Sequence, residues 1–199
     1  MKNYKNYKKA SKALGAHPSI FFTPFRDCDA PVLRGRSENF SKSLIRGVAH
    51  RCRYGFPQVL LCEPLRNMKP FPTSFWLVCP HLLKIVGRME SEGGIPEMER
   101  ASQVRWNDWV EYHLMHAVLR LSMIARSERA FLRMRHSAVF RAICGRGAGG
   151  MRYSKSRVFV KCLHLQTASY LGFGRHPMSE WLLGRIGDWE CGEALCAST

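Results

Sequence analysis

Cysteine and histidine side chains at four positions have the chemistry of a metal site. Cys162 and His164 lie two residues apart, Cys52 lies between two arginines, and Cys79 precedes Pro80. If Cys162 and His164 belong to a strand, both side chains point to one face, because side chains alternate along a strand. Three thiolates and one imidazole are a recognised tetrahedral zinc set. The four residues therefore predict a zinc site, with an iron–sulfur cluster as the alternative, because thiolates also hold such clusters.

The remaining cysteines give no local metal motif. The protein has eight cysteines and no Cys-x-x-Cys pair, so the spacing indicates neither a zinc ribbon nor a thioredoxin-type site. Free cysteine often packs as a small apolar side chain. We therefore expect Cys62, inside an apolar run, and Cys144, at the end of an apolar helix face, to lie in the core. Cys191 and Cys196 lie in a Gly/Ala-rich tail, and we expect them to have no role in the site.

An enzymatic alternative gives Cys162 a chemical role. Cys162 would be a nucleophile whose pKa is lowered by His164 or by a helix histidine. The sequence does not identify the oxyanion donor and the third orienting group that a hydrolase or transferase would need. His113 and His116 are three residues apart and so lie on the same side of a helix. Either one is a candidate further ligand, although a helix histidine with satisfied hydrogen bonds is the more ordinary interpretation.

The elements that would position these residues indicate an α+β fold. The apolar runs around Val59-Leu60-Leu61 and in "SFWLVC" predict two strands, and an antiparallel hairpin of these runs would bring Cys52 and Cys79 to adjacent ends. Helical spacing predicts one helix from Pro80 to Gly93-Gly94 and one helix each over residues 95–126 and 127–145. "SRVFVKCLHLQTASYLG" predicts a strand that becomes helical after Cys-Leu-His. We expect a short antiparallel strand unit packed against several helices, with residues 1–37 as an irregular basic arm, 38–186 as one domain and 187–199 as a tail.

The charge of the protein is strongly positive and unevenly distributed. The net charge is +16, and residues 1–55 alone carry 12 Lys and Arg against 3 acids, which gives +9. Such an excess favours anionic partners, so the second alternative is a nucleic-acid-associated module that uses the arm and the stripe Arg126, Arg129 and Arg133. A solvated charged face is the ordinary explanation of such a stripe. No membrane-spanning run or signal peptide is evident, and we expect a cytoplasmic protein.

Four segments in order resemble one bacterial family. "RCRYGFPQV", "KPFPTSFWLVCP", "VKCLHLQTASYL" and "GFGRHPMSEWL" are similar to the landmarks of the domain-of-unknown-function family 501, from about residue 38 to about residue 186. The resemblance implies an uncharacterised bacterial protein and no activity to carry over. Cys52, Cys79 and Cys162 fall within these segments. The chain departs from the family at Tyr54, where members often have a second cysteine, and at His176-Pro177, where they often have Asn-Pro.

Overall fold

The described part of the protein is an α+β domain, as predicted. The structure is a computed structural model, and it describes residues 20–33, 41–152, 157–194 and 196. These residues form seven α-helices, a three-stranded sheet and a two-stranded ribbon. The strands are β1 (Ile45–Arg51), β2 (Pro57–Cys62), β3 (Leu65–Arg66), β4 (Lys69–Pro70) and β5 (Phe75–Leu77). The helices are α1 (Pro80–Ser91), α2 (Gly94–Ser102), α3 (Trp106–Ser122), α4 (Arg126–Arg135), α5 (Ser137–Cys144), α6 (Leu163–Phe173) and α7 (Ser179–Ile186).

The three-stranded sheet contains the predicted hairpin. Its strand order is β1-β2-β5, and β2 is antiparallel to both neighbours. Val59 lies opposite Leu77, and Leu61 lies opposite Phe75. All six residues of β2 are buried, because elements cover both faces of the sheet. The loop between β2 and β5 forms the β3–β4 ribbon.

The main core lies between the sheet and the helices α1 and α6. Val59, Leu61 and Phe75 from the sheet contact Leu82 of α1 and Leu163 of α6 in one buried apolar cluster. Such burial is the main favourable contribution to folding. The other face of the sheet packs against a second, smaller cluster that includes residues before β1.

Part of the predicted arm packs on the sheet. Thr23 and Val48 exchange two backbone hydrogen bonds of 2.8 and 2.9 Å, and Val32 is buried. Asp29 forms a bidentate ion pair with Arg51, with oxygen–nitrogen distances of 2.7 and 2.9 Å. Residues 1–19 and 34–37 lie outside the described residues, so the predicted boundary between arm and domain stays a prediction. Among the residues that the structure describes, no helix has the length and apolarity that crossing a membrane requires.

Two predicted helices are each broken in two. The first, over residues 95–126, is interrupted by a 3-10 turn at Gln103–Arg105. The Gln103 side chain bonds the backbone of Val158, with distances of 3.3 Å from the Val158 nitrogen and 3.2 Å to its oxygen. The second, over residues 127–145, breaks at His136, whose φ of −131° and ψ of 54° are not helical. In both places apolar periodicity continues across the break, which is why the pattern predicted one helix.

The strand predicted before Cys162 is also wrong. Residues 157–162 join no ladder in the described part of the chain, and two of their amides donate to side chains that are distant in sequence. The Val160 nitrogen, for example, donates to Glu99 at 2.8 Å. Cys162 is the N-cap of α6, and its sulfur accepts a hydrogen bond from the Leu165 nitrogen at 3.4 Å. His164 therefore belongs to the first turn of a helix, and the two side chains do not share a strand face.

Candidate metal centre

Cys52 and Cys79 lie at the same end of the sheet. β1 and β5 flank β2 and both run antiparallel to it, so β1 and β5 point in the same direction. Cys52 follows β1, and its nitrogen donates to the Phe56 oxygen at 2.9 Å. Cys79 follows β5, and its nitrogen lies 3.4 Å from the Gln58 oxygen. Both cysteines therefore border the start of β2, where the sequence predicted that they would be close.

A segment from the C-terminal part of the chain covers this end of the sheet and carries two more cysteines, Cys191 and Cys196. Side chains of the β1–β2 turn, β2 and α1 donate hydrogen bonds to its backbone oxygens. These bonds run from Gln58 to Trp189 (2.8 Å), from Arg53 to Cys191 (2.8 Å), from Tyr54 to Gly192 (2.6 Å) and from His81 to Asp188 (2.9 Å). We call residues 188–194 and 196 the covering segment.

The covering segment brings four cysteines into one neighbourhood. The thiols of Cys196 and Cys79 are hydrogen-bonded to each other, and Cys196 also interacts electrostatically with Cys52 and Cys191. All four are between 2% and 8% exposed. We call Cys52, Cys79, Cys191 and Cys196 the thiol cluster. Its last two members, Cys191 and Cys196, were not among the ligands predicted from the sequence, and their local signal is a Cys-x-x-x-x-Cys spacing after Asp188-Trp189.

The environment favours the protonated form of two of these thiols, Cys79 and Cys196. Burial and the nearby thiols raise the pKa of Cys196 to about 12. Burial also raises the pKa of Cys79, against the opposing effect of the Leu82 and His81 backbone amides at the start of α1. In the ranges 20–33, 41–152, 157–194 and 196, no three His, Cys, Asp or Glu side chains are placed to hold a metal ion. The cluster as it stands is therefore a group of neighbouring buried cysteines rather than an assembled metal cage.

Cys162 and His164 lie at the other end of α1. The Glu90 carboxylate accepts hydrogen bonds from the Leu163 nitrogen at 2.5 Å and from the His164 ring at 3.0 Å. Cys79 caps the start of α1, and Glu90 follows it by eleven residues (90 − 79), which is roughly 16 Å along a helix. The structure thus brings Cys52 and Cys79 together and does not bring Cys162 and His164 to them.

The surroundings of Cys162 do not favour a nucleophile. Burial and the Glu90 carboxylate raise the pKa of Cys162, and the Leu165 amide and Lys161 only partly offset this. A nucleophilic cysteine needs a lowered pKa, because the thiolate is the reactive form. A role for Cys162 as a nucleophile therefore stays a prediction, and the raised pKa of its thiol does not support it.

The two helix histidines are core residues. The His113 ring accepts a hydrogen bond from the Ala148 nitrogen at 3.1 Å, and burial lowers its pKa to about 4. His116 is fully buried between the rings of Tyr112 and Phe173, each with its centroid 4.9 Å away. His113 thus fits the ordinary interpretation of a helix histidine with satisfied hydrogen bonds. His116 is buried as well, but neither of its ring nitrogens has a hydrogen-bond partner among the described residues.

The predicted basic stripe lies on α4. Arg126 and Arg133 are exposed, and Arg129 is half-buried. Most of the basic arm lies outside the described residues, so binding to nucleic acid stays a prediction.

Comparison with known proteins agrees with the resemblance in the sequence. A family model described as "Protein of unknown function (DUF501)" matches residues 48–184. This match includes Cys52, Cys79, Cys162 and His164 and ends before the covering segment. No curated protein and no solved structure matches the chain. Because the match spans more than half of the 199 residues, the chain belongs to the family of unknown function DUF501.

Proposed function

We propose that this protein binds one zinc ion through the thiol cluster and that the ion ties the covering segment to the sheet. The observation that carries the proposal is the meeting of four buried cysteines from distant parts of the sequence at one end of the sheet. The proposal keeps Cys52 and Cys79 from the set predicted by sequence. Cys191 and Cys196 replace Cys162 and His164, which lie at the far end of α1.

Electrostatics support a divalent cation at this position. Four thiolates in a buried site would repel one another and lose hydration, and the same two causes raise the pKa of Cys79 and Cys196. A bound zinc ion supplies the missing positive charge and deprotonates its thiol ligands. Zinc–sulfur bonds are about 2.3 Å, so binding draws the four sulfurs inward from their present positions. The covering segment is attached by side-chain hydrogen bonds and by the packing of Trp189 and Cys196, and we expect its two cysteines to make this adjustment.

A site of this kind is structural. Four protein ligands close the coordination sphere and leave no position for a reacting water. Metal-binding free energy then adds to the free energy of folding, because the unfolded chain has no preformed site. Zinc affinity should also fall as the pH is lowered, because protons compete with zinc for the four sulfurs.

Metal analysis of protein purified without oxygen tests the proposal. We expect about one zinc per chain in the unaltered protein and in Cys144→Ser and Cys162→Ser, and loss of zinc in Cys79→Ser and Cys191→Ser. Cys144→Ser is the matched control because Cys144 is also buried and free but belongs to a separate apolar cluster. A chelator should lower the melting temperature of the unaltered protein and of Cys144→Ser but not of Cys79→Ser.

Three outcomes would overturn the proposal. The first is protein that takes up no zinc and melts at the same temperature with and without it. The second is iron with charge-transfer absorbance, which would establish an iron–sulfur cluster instead. The third is loss of zinc in Cys162→Ser with retention in Cys191→Ser, which would restore the set predicted from the sequence.

A further inference from the structure

A small cavity lies between α3 and the loop that joins α6 to α7. Its volume is about 210 Å³. Asp108, Glu111, Tyr112 and Met115 line it from α3, and their spacing of three, four and seven residues places them on one face of the helix. The loop lines it from the other side, beginning with Arg175. Neither the members of the thiol cluster nor Cys162 and His164 line this cavity.

Two breaks in helical structure position the cationic side of this cavity. The 3-10 turn before α3 leaves Arg105 with non-helical backbone angles, and its guanidinium donates to the Pro177 oxygen at 3.3 Å. α6 ends at Gly174, whose φ of 68° is in the left-handed region that glycine adopts without strain. This ending turns Arg175 and the following residues back towards α3. The Gly-x-Gly-Arg-His-Pro sequence is thus the segment that forms one wall.

A neutral hydrogen-bonded network lies beneath the cavity. The His176 Nδ1 accepts a hydrogen bond from the Met178 nitrogen at 3.0 Å, so in the neutral ring the proton is on Nε2. That Nε2 donates to the Gln166 carbonyl oxygen at 2.9 Å, and the Tyr112 hydroxyl donates to the same oxygen at 2.9 Å. The two donors fix the orientation of the Gln166 amide. Tyr112 and His176 are therefore held rigidly where they line the cavity, and neither adds a charge to it.

The charged groups that line the cavity have both signs. Arg105 and Arg175 supply two guanidinium groups, and Asp108 and Glu111 supply two carboxylates. Arg175 and Glu111 form an ion pair of 3.6 Å between side chains that are half exposed or more. Exposed ion pairs of this kind contribute little to stability. Both groups are consequently available to exchange this contact for a ligand.

We propose that this cavity binds a free α-amino acid. The guanidinium groups of Arg105 and Arg175 bind its carboxylate, and the carboxylates of Asp108 and Glu111 bind its ammonium group. A simple anion would meet the repulsion of the two carboxylates, and a simple cation would meet that of the two arginines. A zwitterion satisfies both sets. The cavity is smaller than the 300 to 1,000 Å³ typical of pockets for drug-sized ligands, which favours a ligand of amino-acid size.

Saturation-transfer NMR with the standard free L-α-amino acids, each added alone, tests this proposal on the full chain. We expect saturable binding of at least one of them. Its Kd should rise about tenfold or more in Arg175→Gln and in Asp108→Asn, because each change removes a charge-assisted hydrogen bond. Arg126→Gln, an exposed arginine on α4, is the matched control and should leave the Kd unchanged.

Analogues with a single charge complete the test. Butyrate lacks the ammonium group and butylamine lacks the carboxylate, and both should bind at least about tenfold more weakly than the best amino acid. The proposal is overturned if no amino acid binds saturably, if butyrate binds as well as the amino acid, or if Arg175→Gln and Asp108→Asn bind like the unaltered protein. None of these outcomes depends on the zinc proposal.

Discussion

Glu90 joins two helices through a single carboxylate. Its Oε1 accepts hydrogen bonds from the backbone nitrogen of Leu163 and from the ring of His164, and it lies 3.4 Å from the His164 backbone nitrogen. The first backbone amides of a helix have no partner within the helix, and a negative charge there is also favoured by the helix dipole. Cys162 caps the same end through its sulfur. The Lys-Cys-Leu-His sequence thus begins a helix, which explains its residues without a metal.

We expect Glu90→Ala to destabilise the protein by about 1 to 2 kcal/mol, because it leaves the amides at the start of α6 without their acceptor. Urea denaturation measures this loss. Glu92→Ala is the control, since Glu92 is exposed just after α1, and its effect should stay within about 0.5 kcal/mol. Glu90→Ala should also leave the zinc content unchanged, because Glu90 lies at the opposite end of α1 from Cys79. Equal effects of the two substitutions would contradict this role of Glu90.

The elements that sequence predicts well are those whose signals are local. β2 and β5 are apolar runs bounded by Gly and Pro, and α1 begins at Pro80 as predicted. The break at Gln103 depends instead on hydrogen bonds to Val158, 55 residues away, which no local pattern contains. The same distinction applies to the candidate site. Cys52 and Cys79 are close because adjacent strands place them there, whereas the covering segment has no periodicity that would indicate its contacts.

The contact between α6 and β5 depends on a glycine. A Cβ built at Gly172 would lie 2.4 Å from the ring of Phe75, which is buried and packs edge-on against the rings of His116 and Phe173. We expect Gly172→Ala to destabilise the protein by about 1 to 3 kcal/mol, because the helix must shift away from the sheet. Gly87→Ala on α1 is the matched control. A Cβ there meets nothing within 4 Å, so the change should stabilise the protein by about 0.5 to 1 kcal/mol. Thermal denaturation measures both effects. The prediction is contradicted if the two substitutions both stabilise or both destabilise the protein.

Three buried histidines of the domain pack around Tyr112. His113 and His116 of α3 and His176 of the α6–α7 loop are all less than a tenth exposed. Burial is the main cause that lowers the pKa of His113 to about 4 and of His176 to about 3. The pKa of His116 is also lowered, first by burial and then by Arg120. All three therefore resist protonation in the folded protein at mildly acidic pH.

This arrangement predicts that stability falls as the pH drops below 6.5. The unfolded chain binds protons at the ordinary histidine pKa of 6.5, whereas folded His113 binds its proton only near pH 4 and folded His176 near pH 3. Each of these histidines should therefore cost about 1.4 kcal/mol per pH unit between 6.5 and its folded pKa. Urea denaturation between pH 8 and pH 4 measures this slope.

A pair of variants isolates the contribution of the buried rings. We expect His176→Asn to reduce the slope of stability against pH by about 1.4 kcal/mol per pH unit, because it removes one buried titrating group. His136→Gln should leave the slope unchanged, since His136 is exposed between α4 and α5. A slope that is the same in both variants would show that other groups cause the acid sensitivity.

The covering segment is synthesised long after the strands that it covers. Its hydrogen bonds to Arg53 and Tyr54 join residues 137 and 138 positions apart. At 5 to 20 residues per second, a ribosome needs roughly 7 to 28 s to add the 138 residues from Tyr54 to Gly192. Throughout that interval the nascent chain has Cys52, and for most of it Cys79, without Cys191 and Cys196. Closure of this end of the sheet is therefore a late event of biosynthesis, and the first two thiols are open to oxidants and to stray metal ions until it occurs.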